Sequence, residues 1–316
     1  MPIEQRLEEI LRAEVERVNV RRHPSPRTIL FVSLIAASAL AALDPLRRLL
    51  LVSMGSDEYS YLVLIPIMVV GLFYLERKKI FQELHYSWGA GLALILVGAG
   101  IIGGSIVLST RLSSATLLFL EVLGLVIVWM DSFILCYGTH TARAGLFALL
   151  FILLFVPLPE ALLARPIALI QHGSANVTSF LFGLFGVPVF RQGLTFSLPR
   201  LTFVVATECS GIHSSTGLFI TTLLVGHFYF KPSWAKGLLV LLVFPIISFT
   251  NGLRMFVLAT LAVYVDMNFF YGNLHKKGGI LFFVLALLIL ALITKLLRGR
   301  PLQAGNEKQK RATSAE

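Results

Sequence analysis

Cysteine is scarce in this sequence, and so is charge. The chain has two cysteines in 316 residues, too few for a disulfide framework. Charged residues make up 14% of the chain and hydrophobic residues 56%, a balance that excludes an ordinary soluble domain. The composition therefore indicates a helical protein that crosses a membrane several times.

Long hydrophobic runs are what the sequence has in abundance. They exceed the alternating strands of about ten residues that build an outer-membrane barrel. Nine such runs lie near residues 28–43, 60–75, 89–108, 114–136, 144–158, 167–187, 209–230, 237–266 and 278–297. Nine crossings from a cytoplasmic N-terminus would put the basic C-terminal tail outside, against the positive-inside rule. We therefore predict an all-α polytopic membrane protein, a bundle of about eight transmembrane helices.

The basic residues lie mostly in the tails and the short loops. This distribution is typical of positive-inside topology and weighs against nucleic-acid binding. We predict a cytoplasmic amphipathic segment over residues 1–27 and a transmembrane domain over residues 28–297. A basic, disordered cytoplasmic tail is expected over residues 298–316. The expected location is the cytoplasmic membrane, with many passes.

Tracing the runs back from a cytoplasmic tail brings three polar residues to the outer side. The last run then starts outside, just after His275. The run 237–266 leads outward, and Arg254 lies roughly 25 Å along it at about 1.5 Å per residue. The run that begins at Cys209 leads inward. A short β-like hairpin within residues 187–205 precedes it and is expected to cap the outer face.

Two glycines in the third run predict close packing against another helix. Gly100 and Gly104 are four residues apart, a spacing that often lets membrane helices approach closely. We expect this pair to face a neighbouring helix, and the spacing carries no functional meaning by itself.

Cys209 stands where a polar, strand-like stretch gives way to an apolar helix. A helix N-terminus carries unpaired N–H groups and partial positive charge, which lower the pKa of a thiol and favour its nucleophilic thiolate. Glu208 before it and Ser210-Gly211 after it form a polar turn that suits a reactive site. The alternative is a small buried packing residue, which is our interpretation of Cys136 at the end of another run.

Arg254 is a fixed cation inside a long apolar run. It must face a polar cavity or pair with an acid, and Asp266, Glu121 and Asp131 are the acids to consider. Its guanidinium could instead stabilise a thiolate or an oxyanion, or bind a substrate anion. Asn251, one turn earlier on the same face, could donate to that oxyanion or brace a neighbouring helix.

Two histidines are candidates for a general acid and base, because the pKa of imidazole lies near neutrality. His275 lies in the loop before the last run. His213 lies one turn after Cys209 on the same helix face, close enough to activate the thiol. No metal motif, phosphate loop or dinucleotide fingerprint occurs, so we expect neither a metal nor a cofactor.

Several of these residues fall in motifs whose order resembles the exosortase/archaeosortase family of polytopic membrane cysteine transpeptidases. The resemblance extends over residues 146–290. The motifs are Val156-Pro157-Leu158-Pro159, Gly186-Val187-Pro188-Val189, Glu208-Cys209-Ser210-Gly211-Ile212, Asn251-Gly252-Leu253-Arg254, and His275 with Gly278-Gly279. By this resemblance, Cys209, Arg254 and His275 form the catalytic triad. Family members often have Arg where this chain has His213.

The resemblance implies a sorting enzyme whose active site faces the outer side of the membrane. Its substrates would be exported proteins with a C-terminal sorting signal, namely a short motif (Pro-Glu-Pro in the bacterial branch), a transmembrane helix and an Arg-rich tail. The enzyme would cleave near the motif through a thioester and transfer the protein to a lipid or surface-polymer acceptor. Hydrolysis, with water as the acceptor, stays open. So does a multi-pass transporter or lipid-binding scaffold with Arg254 as an anion site.

Overall fold

A computed structural model of the chain describes residues 25–82, 88–205, 212–271 and 279–298. The described residues are mostly helical. The chain divides into two units, residues 1–159 and residues 160–316. Each unit has a hydrophobic core of its own.

The described part of the first unit is built from helices. They are α1 (Pro26–Ala41), α2 (Leu43–Gly55), a 3-10 helix (Asp57–Val63), α3 (Leu64–Leu75), α4 (Arg77–Ile80), α5 (Trp88–Val107), α6 (Ser114–Ala144), α7 (Leu146–Phe151) and a second 3-10 helix (Ile152–Phe155). Serine caps begin two of them. Ser25 accepts a hydrogen bond from the backbone N–H of Thr28, and Ser113 accepts one from that of Thr116.

Helices α5 and α6 pack closely through glycines, but not through the predicted pair. A Cβ added to Gly124 would lie 2.6 Å from Cγ1 of Ile102 and 2.9 Å from the carbonyl oxygen of Gly98. Among the described residues, no atom lies within 4 Å of a Cβ added to Gly100 or Gly104. The prediction for Gly100 and Gly104 is therefore wrong, because that face of α5 does not meet α6.

Cys136 belongs to the aromatic core of the first unit. It is a free thiol and fully buried, in a cluster that includes Phe133 and Tyr137, whose ring centroids are 4.9 Å apart. This surrounding agrees with its interpretation as a packing residue. Gly138, two residues later, has a φ of 91°, which only glycine adopts readily, and it kinks α6.

The second unit combines helices with one small sheet. Its elements are α8 (Glu160–Leu184), β1 (Phe190–Gln192), β2 (Thr195–Leu198), β3 (Leu201–Val204), α9 (Ile212–Tyr229), α10 (Ser233–Tyr264), α11 (Asn268–Tyr271) and α12 (Gly279–Arg298). The strands form an antiparallel sheet in the order β1-β2-β3. The sequence predicts a hairpin here, and the described chain forms three strands in place of two.

One face of the sheet contributes to the core near the end of α10. Phe196 pairs with Phe203 across β2 and β3, and their rings stack 5.3 Å apart. These rings belong to the same buried cluster as Phe182 of α8 and Phe256 of α10. The sheet is thus anchored to α8 and to α10, the helix that carries Asn251 and Arg254.

Three described helices are long and apolar enough to span a membrane, namely α6, α10 and α12. Counting each of two bent helix pairs as one span raises the number to five among the described residues; one such pair is α1 with α2, bent by 77°. These spans agree with a polytopic membrane protein. The number of about eight stays a prediction.

Replacing Gly124 with Ala tests the contact between α5 and α6. The new methyl would overlap backbone, so we expect the free energy of unfolding to fall by roughly 1–3 kcal/mol. Gly100→Ala is the matched control, because the same change meets open space and should leave stability equal or up to about 1 kcal/mol higher. Denaturant titration in detergent micelles measures both, and equal effects would contradict the described packing.

Candidate functional site

The candidate site residues fall into two groups. Cys209, Glu208 and His275 lie outside the described residues. His213 is the second residue of α9, but its side chain also lies outside the described part of the chain. Arg254 and Asn251 both lie on α10, inside the second unit.

Asn251 is held against α8 by hydrogen bonds between buried groups. Its Nδ2 donates to Oγ of Ser174 over 3.0 Å. The hydroxyl of Thr178 donates to the carbonyl oxygen of Gly252 over 3.1 Å and to that of Ser174 over 2.8 Å. Of the two roles considered for Asn251, bracing a neighbouring helix is therefore the one that the described contacts show.

Gly252 lets α8 and α10 approach at this point. A Cβ added there would lie 2.7 Å from Cβ of Val177 and 2.8 Å from the carbonyl oxygen of Ser174. No side chain fits in that space, so glycine is needed for the contact. Because Arg254 lies only two residues further along the same helix, this contact fixes where its backbone lies.

Arg254 lines a small cavity between α9, α10 and α12. The polar part of the wall consists of Arg254, Thr250 and Asn251 from α10 with Ser215 from α9, and Gly279 from α12 completes it. A Cβ added to Gly279 would lie 3.9 Å from Nη1 of Arg254, so the guanidinium reaches the start of α12. The cavity measures about 30 Å³, room for one or two water molecules.

Apolar side chains form the rest of the cavity wall. They are Leu218, Ile247, Phe282, Phe283 and Ala286. Electrostatic interactions are stronger in such surroundings than in water, because few mobile dipoles screen them. A cation here can therefore act strongly on a negative charge that forms nearby.

Two of the three acids considered as structural partners of Arg254 have partners of their own. Glu121 accepts a hydrogen bond over 2.7 Å from Nη2 of Arg48. Asp266 accepts hydrogen bonds from the backbone and side-chain nitrogens of Asn268. Asp131 is buried in α6 of the first unit.

Sequence reasoning missed the small polar residues that contact Asn251 and Gly252 or line the cavity with Arg254. Ser174 and Thr178 are fully buried on α8, and Ser215 and Thr250 are nearly so. The available signal was the occurrence of small polar side chains inside apolar runs, which is too common in membrane helices to single them out. Among the described residues, no group of three or more His, Cys, Asp or Glu side chains could hold a metal ion.

These features define a class of protein: a polytopic helical membrane protein with a small cavity, lined by an arginine, between three of its helices. A sequence model of the transmembrane exosortase family matches residues 52–292. The chain therefore belongs to the transmembrane exosortase family. The match begins well before residue 146, where the motif resemblance begins. No curated protein and no solved structure matches the chain.

A double-mutant cycle of Asn251→Ala and Ser174→Ala tests the brace between α8 and α10. Each single change leaves a buried polar group without its partner and should lower the free energy of unfolding by about 1–3 kcal/mol. The double variant should lose less than the sum, with a coupling of roughly 0.5–1.5 kcal/mol. Denaturant titration provides these values, and strict additivity would mean that the hydrogen bond contributes nothing.

Proposed function

We propose that this chain is a membrane-embedded cysteine transpeptidase that cleaves C-terminal sorting signals of exported proteins and transfers those proteins to a surface or lipid acceptor. The observation that carries the proposal is the cavity at which Arg254 meets the first turns of α9 and α12. In the sequence, Cys209 precedes α9 by three residues and His275 precedes α12 by four. Family membership supports the same reaction class.

Chain length limits how far Cys209 and His275 can lie from these helix starts. At no more than about 3.6 Å per residue, the Cα of Cys209 stays within about 11 Å of the Cα of Ile212. The same limit keeps the Cα of His275 within about 14 Å of that of Gly279. These limits support the proposal that both residues lie near Arg254.

The proposed chemistry assigns one role to each member of this triad. The Cys209 thiolate attacks the carbonyl carbon of the scissile peptide bond, and the resulting oxyanion is stabilised by the Arg254 guanidinium. The C–N bond then breaks, and the imidazolium of His275 gives its proton to the departing amine. A thioester remains on Cys209.

A second half-reaction releases the product. The neutral imidazole takes the proton from the acceptor nucleophile as that nucleophile attacks the thioester carbonyl. The C–S bond breaks, the thiolate is restored and the exported protein is joined to the acceptor. Hydrolysis would follow the same steps with water as the acceptor. His213 competes with His275 for the proton transfers because it follows Cys209 by one turn.

The distribution of basic residues favours an outer position for this site. Helices α9 and α12 both run from the cavity toward an end of the unit marked by Lys231, Lys236, Lys295 and Arg298. The positive-inside rule favours that basic end as the cytoplasmic one. The cavity, about 27 Å from Lys236 along α10 at about 1.5 Å per residue, would then lie toward the outer face of the cytoplasmic membrane.

Substituting Cys209 tests the proposal whichever motif the enzyme recognises. Variants are produced in source cells that lack their own copy, and the C-terminal peptides of exported proteins are identified by mass spectrometry. Cys209→Ala should leave the C-terminal transmembrane segments uncleaved, because no thioester can form. Cys136→Ala is the matched control and should process substrates like the unchanged protein, since that thiol packs in the first unit.

Hydroxylamine separates the thioester step from its alternatives. It intercepts a thioester and should leave a C-terminal hydroxamate on the cleaved protein in place of the natural acceptor. Normal processing of substrates by the Cys209→Ala variant would contradict the proposed transpeptidase activity. If the Arg254→Gln variant lost function while the Cys209→Ala variant kept it, the transporter or scaffold alternative would replace the transpeptidase proposal.

A further inference from the structure

A second, larger cavity lies between α9 and α12, at their basic ends. It measures about 550 Å³, within the usual range for a bound small molecule. One face of α9 lines it with Thr221, Val225 and Tyr229, which are spaced four residues apart. The facing side of α12 includes Leu290 and Thr294. The groove therefore runs between one face of α9 and one face of α12.

The walls of this groove are apolar although two of the lining residues are threonines. The hydroxyl of Thr221 donates to the carbonyl oxygen of Gly217 over 2.8 Å, and that of Thr294 donates to the carbonyl oxygen of Leu290 over 2.7 Å. Both hydroxyls thus donate within their own helices, and the other lining residues short of the cations are mainly aliphatic. Such a surface suits a hydrocarbon chain better than a polar ligand.

Cations stand at one end of the groove. Lys295 and Arg298 line it and are exposed, and the guanidinium of Arg298 lies 5.4 Å from the ring centroid of Tyr229. That cation–π contact holds the arginine at the entrance. No carboxylate lies among the described residues that line the groove. Apolar walls that end in two cations complement a molecule with an acyl chain and an anionic head.

We infer that this groove binds one anionic phospholipid, with an acyl chain between α9 and α12 and its phosphate at Lys295 and Arg298. Basic pockets between transmembrane helices at the cytoplasmic side commonly hold such headgroups. The charge of the entrance disfavours two other occupants, the Arg-rich tail of a sorting signal and residues 299–316 of this chain, in which basic side chains outnumber acidic ones. The two cations of the site lie at the opposite ends of α9 and α12 from Arg254, and its apolar part begins at Thr221 and Leu287, next to the wall of the small cavity. The inference does not depend on the proposed reaction.

Lipid binding to the delipidated full-length protein in mild detergent tests this site. The ligands are phosphatidylglycerol, phosphatidylcholine with the same acyl chains, and inorganic phosphate, and native mass spectrometry counts bound molecules. We expect one tightly bound phosphatidylglycerol. The double variant Lys295→Gln with Arg298→Gln should bind it about 30-fold more weakly, because two headgroup cations are lost. Lys236→Gln is the matched control, a cation at the same end that does not line the groove, and should bind normally.

A second variant tests the acyl-chain part of the site. Ala291→Trp fills the groove without changing its charge and should also weaken binding of phosphatidylglycerol. Equal affinity for phosphatidylcholine, or equal binding of inorganic phosphate alone, would overturn the inference. So would full retention of phosphatidylglycerol by the double variant, or an equal loss in Lys236→Gln.

Discussion

The charge of Arg254 is the constraint on which the second unit depends. A guanidinium does not lose its proton in a protein, and burying it in a bilayer costs at least about 2.5 kcal/mol when nothing polar surrounds it. Helix α10 must therefore present this turn to polar surroundings. The cavity that it lines offers the side chains of Ser215 and Thr250 and room for one or two water molecules. The starts of α9 and α12 line the same cavity. The cation therefore lies where the proposed reaction needs one.

The position of that charge is set by a contact one turn away. Gly252 allows α8 to approach, and the hydrogen bonds from Asn251 and Thr178 hold the two helices in register. Aromatic packing of the sheet against the far part of α10 adds a second anchor. Held at both points, the backbone of α10 at Arg254 has a fixed place, which is the preorganisation that the proposed oxyanion-stabilising role requires.

Sequence alone predicted the main helices of the second unit, and it singled out Asn251 and Arg254, which line the same small cavity. The runs 237–266 and 278–297 correspond to α10 (Ser233–Tyr264) and α12 (Gly279–Arg298), because long apolar runs leave few alternatives to a helix. Sequence could not choose between two roles for Asn251, since its partner Ser174 is remote along the chain. Sequence also selected the wrong glycines, Gly100 and Gly104, for the close helix contact, because the spacing of glycines does not tell which face of a helix meets a neighbour. The assignments of Cys209 and His275 rest on motif order and stay predictions.

The most direct test of the proposed triad is the reactivity of the Cys209 thiol toward a membrane-impermeant thiol reagent, measured against pH in intact cells or spheroplasts. A Cys136→Ala background makes it the only thiol in the chain. The account predicts rapid labelling with an apparent pKa well below the value of about 8.5 for a free thiol. It also predicts that Arg254→Gln and His275→Ala shift that pKa, and that His213→Ala shifts it less. A thiol that reacts only after denaturation would contradict an activated nucleophile at the outer face.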